Sequence, residues 1–368
     1  MFYRFLYYVI GWTLKVFYRK IYVNGAEKLK EGQAYILTSN HPAGFVEPLI
    51  MACYLHRDLY FLTRGDLFEN PLYNKVFVAT HQIPIFRFRD GFSNMRNNQQ
   101  SVGMAVQTLI DKKALLVFAE GNTSYQFDAR PLQKGFARIG FQALYEKPDL
   151  DIKIVPVGIS FNRVDQMGSD VILNIGEPFD MRTYYDEDTK KQASGMTELL
   201  DVTHQKMKDL MLINDATVAE QKVRNAWHHA AKEDRSFLPK LVYNDPFFTK
   251  VKELIDSKKE FQISPSKKIN GKQNSLLHLF WIVAIPSLVF TILPRLLSNF
   301  YKNKKVKKLE FKMPVALAVG LIIYLLLLII GFIFSCIFFT FGIAILFIIG
   351  ILISGFFHLL AWENWKKS

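Results

Sequence analysis

The chain has 368 residues, half of them hydrophobic, and a formal net charge of +13 at pH 7. This length accommodates one sizeable α/β domain with additional segments. Its two cysteines, Cys53 and Cys336, are far apart in the sequence, so no disulfide or zinc framework is expected. The positive charge would suit nucleic acid or an anionic membrane. Because lysines cluster on both sides of an apolar C-terminal run, we expect membrane lipids and no nucleic acid as partners.

Residues 1–21 predict a basic amphipathic helix. Arg4, Gly11, Lys15 and Arg19 recur at helical spacing, and aromatic and aliphatic residues fill the remaining positions. This pattern is typical of a helix that lies in the membrane interface. The alternative is a helix packed on the protein's own core.

Residues 22–180 alternate short apolar runs with segments long enough for helices. Strands are expected at 34–37, 59–62, 83–86, 114–118, 152–159 and 171–175, and helices at 48–55, 93–111 and 134–145. This alternation predicts an α/β fold with a mainly parallel sheet flanked by helices. In such sheets ligands bind beyond the carboxyl ends of the strands.

The sequence NHPAGFVEP follows the first of these strands and places His41 six positions before Glu47. Proline and glycine allow such a turn to bring the two side chains together. Neutral histidine is well matched to taking a proton near pH 7, and a carboxylate can orient it and stabilise the imidazolium. We therefore expect a catalytic pair. The alternative is that His41 caps a turn and Glu47 merely begins a helix.

Three further motifs include other predicted strands. The first, IPIFRFRDG, contains Arg87 and Arg89 after its apolar residues, and their guanidinium groups can bind phosphate with paired hydrogen bonds. The second, FAEGNTS, contains Glu120, Gly121 and Asn122 on a turn where a substrate can approach the backbone closely. The third, IVPVGI, predicts a buried strand at a sheet edge or a place of close approach. Charge and position add two candidate substrate-binding cations, Arg130 and Lys134.

The remainder of the chain is expected to form three parts. Residues 181–275 predict a helical extension and linker, and residues 276–300 predict interfacial or re-entrant helices. Residues 313–362 contain no Asp, Glu, Lys or Arg and predict a transmembrane helical hairpin that breaks between Gly331 and Gly342. Its lysine-rich flanks indicate a membrane protein whose catalytic domain faces the cytoplasm.

The four motifs, taken in order, resemble the blocks of the phospholipid/glycerol acyltransferase family, the PlsC-type enzymes that acylate glycerol 3-phosphate and 1-acylglycerol 3-phosphate. The resemblance covers about residues 30–180. It implies that His41 is the general base, Arg87 a phosphate ligand, and Glu120 and Gly121 acceptor-binding residues. Three departures stand out: the carboxylate partner is Glu47 rather than Asp and lies one residue farther away, Ala119 replaces Pro, and Asn122 stands where many relatives carry Thr.

The expected function is therefore transfer of a fatty acyl group from acyl-CoA or acyl-carrier protein to a glycerol-phosphate acceptor in phospholipid synthesis. No glycine-rich nucleotide loop, metal motif or nucleophile elbow occurs in the sequence, so neither a cofactor nor a metal is expected. Two alternatives stay open. The enzyme could act on another acceptor, a lysophospholipid or an amino-acid-derived lipid, or the chain could be a catalytically weak lipid-binding scaffold.

Overall fold

The structure is a computed structural model that describes most of the chain. The described residues are 2–69, 71–86, 95–124, 129–164, 168–212, 220–231, 240–257 and 288–365. The predicted phosphate ligands Arg87 and Arg89 lie outside these ranges. So do residues 258–275 of the predicted linker and residues 276–287 of the predicted interfacial segment.

A nine-stranded sheet organises the described part of the chain. The strands are β1 (Tyr18–Asn24), β2 (Ala34–Ser39), β3 (Leu59–Arg64), β4 (Gln82–Ile85), β5 (Ala114–Val117), β6 (Ile152–Phe161), β7 (Ser169–Ile175), β8 (Phe179–Asp180) and β9 (Lys240–Tyr243). Their order is β4-β3-β5-β2-β6-β7-β1-β9, and β8 pairs with β6. Among the described strands, only the pairs β6–β7 and β6–β8 are antiparallel. The predicted mainly parallel α/β sheet is thus confirmed.

Helices cover both faces of the sheet. They are α1 (Phe2–Phe17), α2 (Val46–Tyr54), α3 (Pro71–Ala79), α4 (Met95–Ile110), α5 (Gly135–Glu146), α6 (Thr189–Asp209), α7 (Glu220–Ala231) and α8 (Phe247–Asp256). Strand β2 needs helices on both sides of the sheet, because its apolar side chains point alternately to the two faces. Tyr35 and Leu37 join the buried cluster under α1 and α2. Ala34 and Ile36 join the cluster under α4, α5 and α6.

The N-terminal segment differs from its predicted boundary. The helix ends at Phe17, and Tyr18–Asn24 is a buried strand between β7 and β9, so the predicted helix over residues 1–21 extends four residues too far. Aromatic and branched residues in Tyr18–Val23 favour a strand, and its non-local pairing decides the outcome. Arg19 consequently leaves the predicted basic stripe and pairs with Asp170 on β7.

Helix α1 also packs on the sheet domain. The Tyr54 hydroxyl on α2 donates a 2.8 Å hydrogen bond to the Gly11 carbonyl, and Leu14 is fully buried. Tyr8 nevertheless exposes 72% of its surface. The helix therefore has one face on the protein's core and another face exposed.

The predicted helical extension contributes a strand as well as helices. Residues 240–243 form β9, which pairs in parallel with β1 at the edge of the sheet. Helices α7 and α8 pack beside it, and Trp227 and Phe247 join a buried cluster with Tyr22. The four-residue strand is too short to show a period in the sequence, and its pairing partner is more than 200 residues away.

Three helices form the C-terminal part: α9 (Leu288–Lys305), α10 (Leu309–Phe338) and α11 (Phe341–Trp365). In the part of the chain described, Pro314–Phe338 is long and apolar enough to cross a bilayer, whereas the apolar stretch Phe341–Ser354 is shorter. The break at 339–340 falls inside the predicted interval. Two consecutive apolar helices are the arrangement that a membrane hairpin requires.

Helix α9 runs antiparallel along α10. Ser298 lies against Gly320, and Phe290 lies against Gly331, where a β-carbon would approach its ring to 3.2 Å. The lysines at 302, 304 and 305 occupy the last turn of α9. They therefore lie beside the beginning of α10.

Candidate active site

The turn after β2 is held by its own side chains and by glycine. The Asn40 amide donates to the Ile159 carbonyl at 2.9 Å and accepts from the Ile159 N–H at 2.8 Å, which ties the turn to β6. Gly44 has φ +66°, a conformation that side chains other than glycine rarely adopt. The chain then enters α2 at Val46. The fold thus fixes the backbone around His41 from both sides.

His41 and Glu47 come together as predicted. His41 Nδ1 lies 3.4 Å from Glu47 Oε1, and the Glu47 side chain is fully buried. Among the described residues, His41 Nδ1 and Glu47 Oε2 have no hydrogen-bond partner, so the contact is an ion-pair approach rather than a formed hydrogen bond. Glu47 Oε1 also accepts a hydrogen bond from the Ala43 N–H. The carboxylate therefore braces the turn and faces the imidazole.

Glu47 is buried at the beginning of α2. The carboxylate belongs to the first turn of α2, where the helix dipole favours a negative charge. Burial, together with the nearby Glu47 charge, raises the pKa of Tyr18 above its ordinary value. The Tyr18 phenol is therefore neutral over the physiological range. A buried carboxylate in this setting gains stability whenever a cation forms beside it.

Phe118 holds the imidazole ring from the neighbouring strand end. The rings of His41 and Phe118 stack with centroids 3.9 Å apart and an angle of 17° between their planes. Strands β2 and β5 are parallel neighbours, with Thr38 opposite Val117, so the residues following each strand meet at one edge. Stacking on one face of the ring and a carboxylate at Nδ1 together restrict the orientation of His41.

Glu120 lies two residues after Phe118, and its carboxylate links its own turn to the backbone of His41 and of Arg130. Its Oε2 accepts the His41 N–H at 3.2 Å and a hydrogen bond from Arg130 Nη2. Its Oε1 accepts the Arg130 N–H at 3.0 Å. The Glu120 side chain is 3% exposed. This carboxylate thus connects the His41 turn to the segment that precedes α5.

The Arg130 guanidinium binds the residues beside it on the β5 turn. It donates to Glu120 and to both the side chain and the backbone carbonyl of Asn122, the latter at 2.6 Å. The structure brings three predicted substrate-binding residues, Glu120, Asn122 and Arg130, into one hydrogen-bonded group. Gly121, with φ +78°, forms the bend between them.

The other predicted cations have different placements. Lys134 is exposed and directly precedes α5, and its side chain makes no hydrogen bond to the N-terminus of that helix. Arg87 and Arg89 lie outside the described residues, directly after β4 and Phe86. Strand β4 is three positions from β2, which separates the strand ends by about 14 Å at the usual strand spacing.

Two contacts at the site escape sequence reasoning. Asn40 and Ile159 are 119 residues apart, and Phe118 resembles any apolar residue at the end of a strand. Both contacts follow from the strand order, which the sequence does not show, since β2 lies between β5 and β6 and its end meets both neighbours. Within the described ranges, no group of three or more His, Cys, Asp or Glu side chains is placed to hold a metal ion.

Comparison with known proteins finds a family that is similar to the segment carrying this site. The family model described as Acyltransferase matches residues 20–160, which contain His41, Glu47, Glu120 and Arg130. No curated protein matches the chain. The chain resembles the solved structure of the 1-acyl-sn-glycerophosphate (LPA) acyltransferase PlsC from Thermotoga maritima, with 16% identity and a TM-score of 0.40 over 56% of this chain and 81% of that one. The family match agrees with the resemblance found in the four motifs, so residues 20–160, which carry His41, are similar to the acyltransferase family.

Proposed function

We propose that the protein is a membrane-bound O-acyltransferase that moves a fatty acyl group from a thioester donor to a glycerol-phosphate acceptor. The observation that carries this proposal is the 3.4 Å approach of Glu47 to His41 Nδ1 at the carboxyl end of β2. A buried carboxylate at Nδ1 favours the tautomer that carries its proton there. That tautomer leaves the Nε2 lone pair free to accept a proton.

In the proposed reaction, Nε2 of His41 removes the proton from an acceptor hydroxyl as its oxygen attacks the thioester carbonyl. The resulting imidazolium is stabilised by Glu47. Collapse of the tetrahedral intermediate breaks the carbon–sulfur bond, and the departing thiolate takes the proton from His41. The products are the ester and the free thiol, with no covalent enzyme intermediate, cofactor or metal required. The 3.4 Å contact would shorten as positive charge develops on the ring.

Recognition of the acceptor is assigned to the basic residues around this edge. Arg87 and Arg89 are proposed to hold the phosphate, with Lys134 at the N-terminus of α5 as a further cation. Arg130 is already engaged by Glu120 and Asn122, and its charge is balanced by Glu120, so its proposed contribution to acceptor binding is to hold the turn in place.

The C-terminal helices are proposed to anchor the enzyme. The span Pro314–Phe338 is long and apolar enough to cross a bilayer, and most of its side chains are not buried within the protein. Lysines at the junction of α9 and α10 favour the cytoplasmic face for that end. Phe45 on the His41 turn lies against Phe311 in the first turn of α10, so His41 is proposed to lie on the same side as these lysines.

The decisive experiment supplies purified full-length protein in phospholipid vesicles with labelled acyl-CoA or acyl-carrier protein. Glycerol 3-phosphate and 1-acylglycerol 3-phosphate are offered in parallel. We expect labelled ester with at least one of them, and we expect His41→Ala to lower turnover by about 10³-fold, within the usual contribution of a general base.

Undiminished turnover in His41→Ala would contradict the mechanism. Ester formation with an added lysophospholipid or amino-acid-derived lipid, but with neither glycerol phosphate, would support the alternative of a different acceptor. Lipid binding without any turnover in the wild type would support the scaffold alternative.

A further inference from the structure

Phe45 is an exposed aromatic residue on the turn that carries His41. It exposes 57% of its surface, while Ala43 and Val46 on either side of it are buried almost completely. A single exposed Phe is ordinary on a protein surface. What distinguishes this one is its place four residues after His41 and its partner across the domain boundary.

That partner is Phe311, in the first turn of α10. The two rings lie 6.2 Å apart between centroids at an angle of 46°. Phe311 precedes the apolar span that starts at Pro314 by three residues. Leu317, one turn into the span, belongs to the same buried cluster as Ala43 and Val46. The turn that carries His41 therefore contacts the helix at the point where that helix would enter the bilayer.

From this contact we infer that Phe45 and Phe311 form an apolar doorway through which the acyl chain of a membrane-resident lipid acceptor reaches the site. The inference rests on the proposed acyl transfer. An acyl chain leaving the bilayer needs continuous apolar surface, because each methylene exposed to water costs about 0.8 kcal/mol. The exposed faces of α10 and the two rings supply such a surface up to the turn, and the Phe118 ring continues it beside His41.

The test varies the chain length of the acceptor with the thioester donor held fixed. Full-length wild type, Phe45→Ala and Phe311→Ala are assayed in phosphatidylcholine vesicles with 1-oleoylglycerol 3-phosphate and with water-soluble 1-hexanoylglycerol 3-phosphate. The matched control is Phe338→Ala, an exposed Phe at the other end of α10, about 40 Å away along the helix.

We expect the ratio of kcat/KM for the oleoyl acceptor to that for the hexanoyl acceptor to fall about fivefold to tenfold in both doorway variants, the loss expected from one aromatic contact. The ratio in Phe338→Ala should match wild type. Retained hexanoyl turnover also shows that each variant is folded.

Three outcomes would overturn the inference while leaving acyl transfer intact. One is an unchanged ratio in both doorway variants. Another is an equal loss on both acceptors in Phe311→Ala, whose side chain lies outside the sheet domain. The third is wild-type turnover of glycerol 3-phosphate alone, which has no acyl chain. Absence of ester from every acceptor in the wild type would instead refute the proposed function itself.

Discussion

Two buried carboxylates flank His41, and their surroundings differ. Glu120 is saturated, since it accepts two backbone N–H groups and the guanidinium of Arg130. Glu47 accepts one backbone N–H, and its Oε2 has no partner among the described residues. Glu120 therefore has a permanent cation beside it, whereas Glu47 has only an imidazole that becomes a cation on protonation.

This difference suits Glu120 to holding the loop in place and Glu47 to supporting proton transfer. A fully hydrogen-bonded carboxylate with a permanent cation gains nothing when a proton moves nearby. A buried carboxylate with spare accepting capacity stabilises a new positive charge strongly, because the low local dielectric magnifies the attraction. We therefore propose that the His41–Glu47 pair transfers the proton and that Glu120 with Arg130 positions the loop.

Of the variants that test the contrast between Glu47 and Glu120, Glu47→Gln is expected to lower kcat most. Glutamine keeps the shape and the oxygen that accepts the Ala43 N–H, but it cannot balance the imidazolium. We expect kcat to fall on the order of 100-fold, within the range for general-base catalysis, with little change in thermal stability. Steady-state kinetics and thermal unfolding of the purified protein measure the two quantities.

Asp66→Asn provides the control for this variant. It neutralises an exposed carboxylate paired with Arg64, and exposed pairs contribute little. Activity and stability should both stay at the wild-type level. If Glu47→Gln behaved like this control, Glu47 would have only a structural role.

Glu120→Gln should lower the stability of the fold more, and kcat less, than Glu47→Gln does. Its amide group would turn a donor toward a backbone N–H or the Arg130 guanidinium, which leaves a buried charge poorly paired. We expect a loss of about 3 kcal/mol in unfolding free energy, the lower end for breaking a buried pair, and a smaller, roughly tenfold loss in kcat. Chemical denaturation and kinetics on the same preparation test this order, and a stable but inactive variant would contradict it.

The local motifs could be predicted because each lies directly after a strand. The apolar runs before His41 and Glu120 indicated strands, and parallel strands bring their carboxyl ends to one edge. The proximity of His41 to Glu47 followed from six positions and a flexible turn. The hairpin followed from a stretch without charges, and its break falls between Gly331 and Gly342 as predicted.

The long-range contacts could not be predicted from one sequence. Strands β1 and β9 owe their state to each other and to β7, because 20–23 pairs with 240–243 across more than 200 residues. Arg130 was recognised as a cation near the site, but its attachment to Glu120 depends on how the chain returns after the turn. Phe45 looked like one more apolar residue until the structure placed Phe311 against it.

Arg130→Lys is expected to give the smallest loss of activity. It also distinguishes a role in positioning the turn from a role in binding the acceptor phosphate. Lysine carries the charge but cannot reach Glu120 and Asn122 together in the geometry of a planar guanidinium. If Arg130 positions the turn, kcat should fall about threefold, a cost of roughly 0.7 kcal/mol, while KM for the acceptor stays within about twofold of wild type.

A phosphate ligand would give the opposite kinetic pattern in Arg130→Lys. Losing it would raise KM for the acceptor with kcat unchanged, because the phosphate is bound equally in the ground and transition states. Lys134→Ala supplies the comparison, since Lys134 is exposed and its ammonium group is a candidate for direct phosphate contact. An increase in KM confined to Lys134→Ala would confirm that the two cations serve different ends of the site. If KM rose by the same factor in Arg130→Lys, Arg130 would contact the acceptor phosphate directly. Glu47 would then orient His41, and Glu120 would orient Arg130 toward the acceptor.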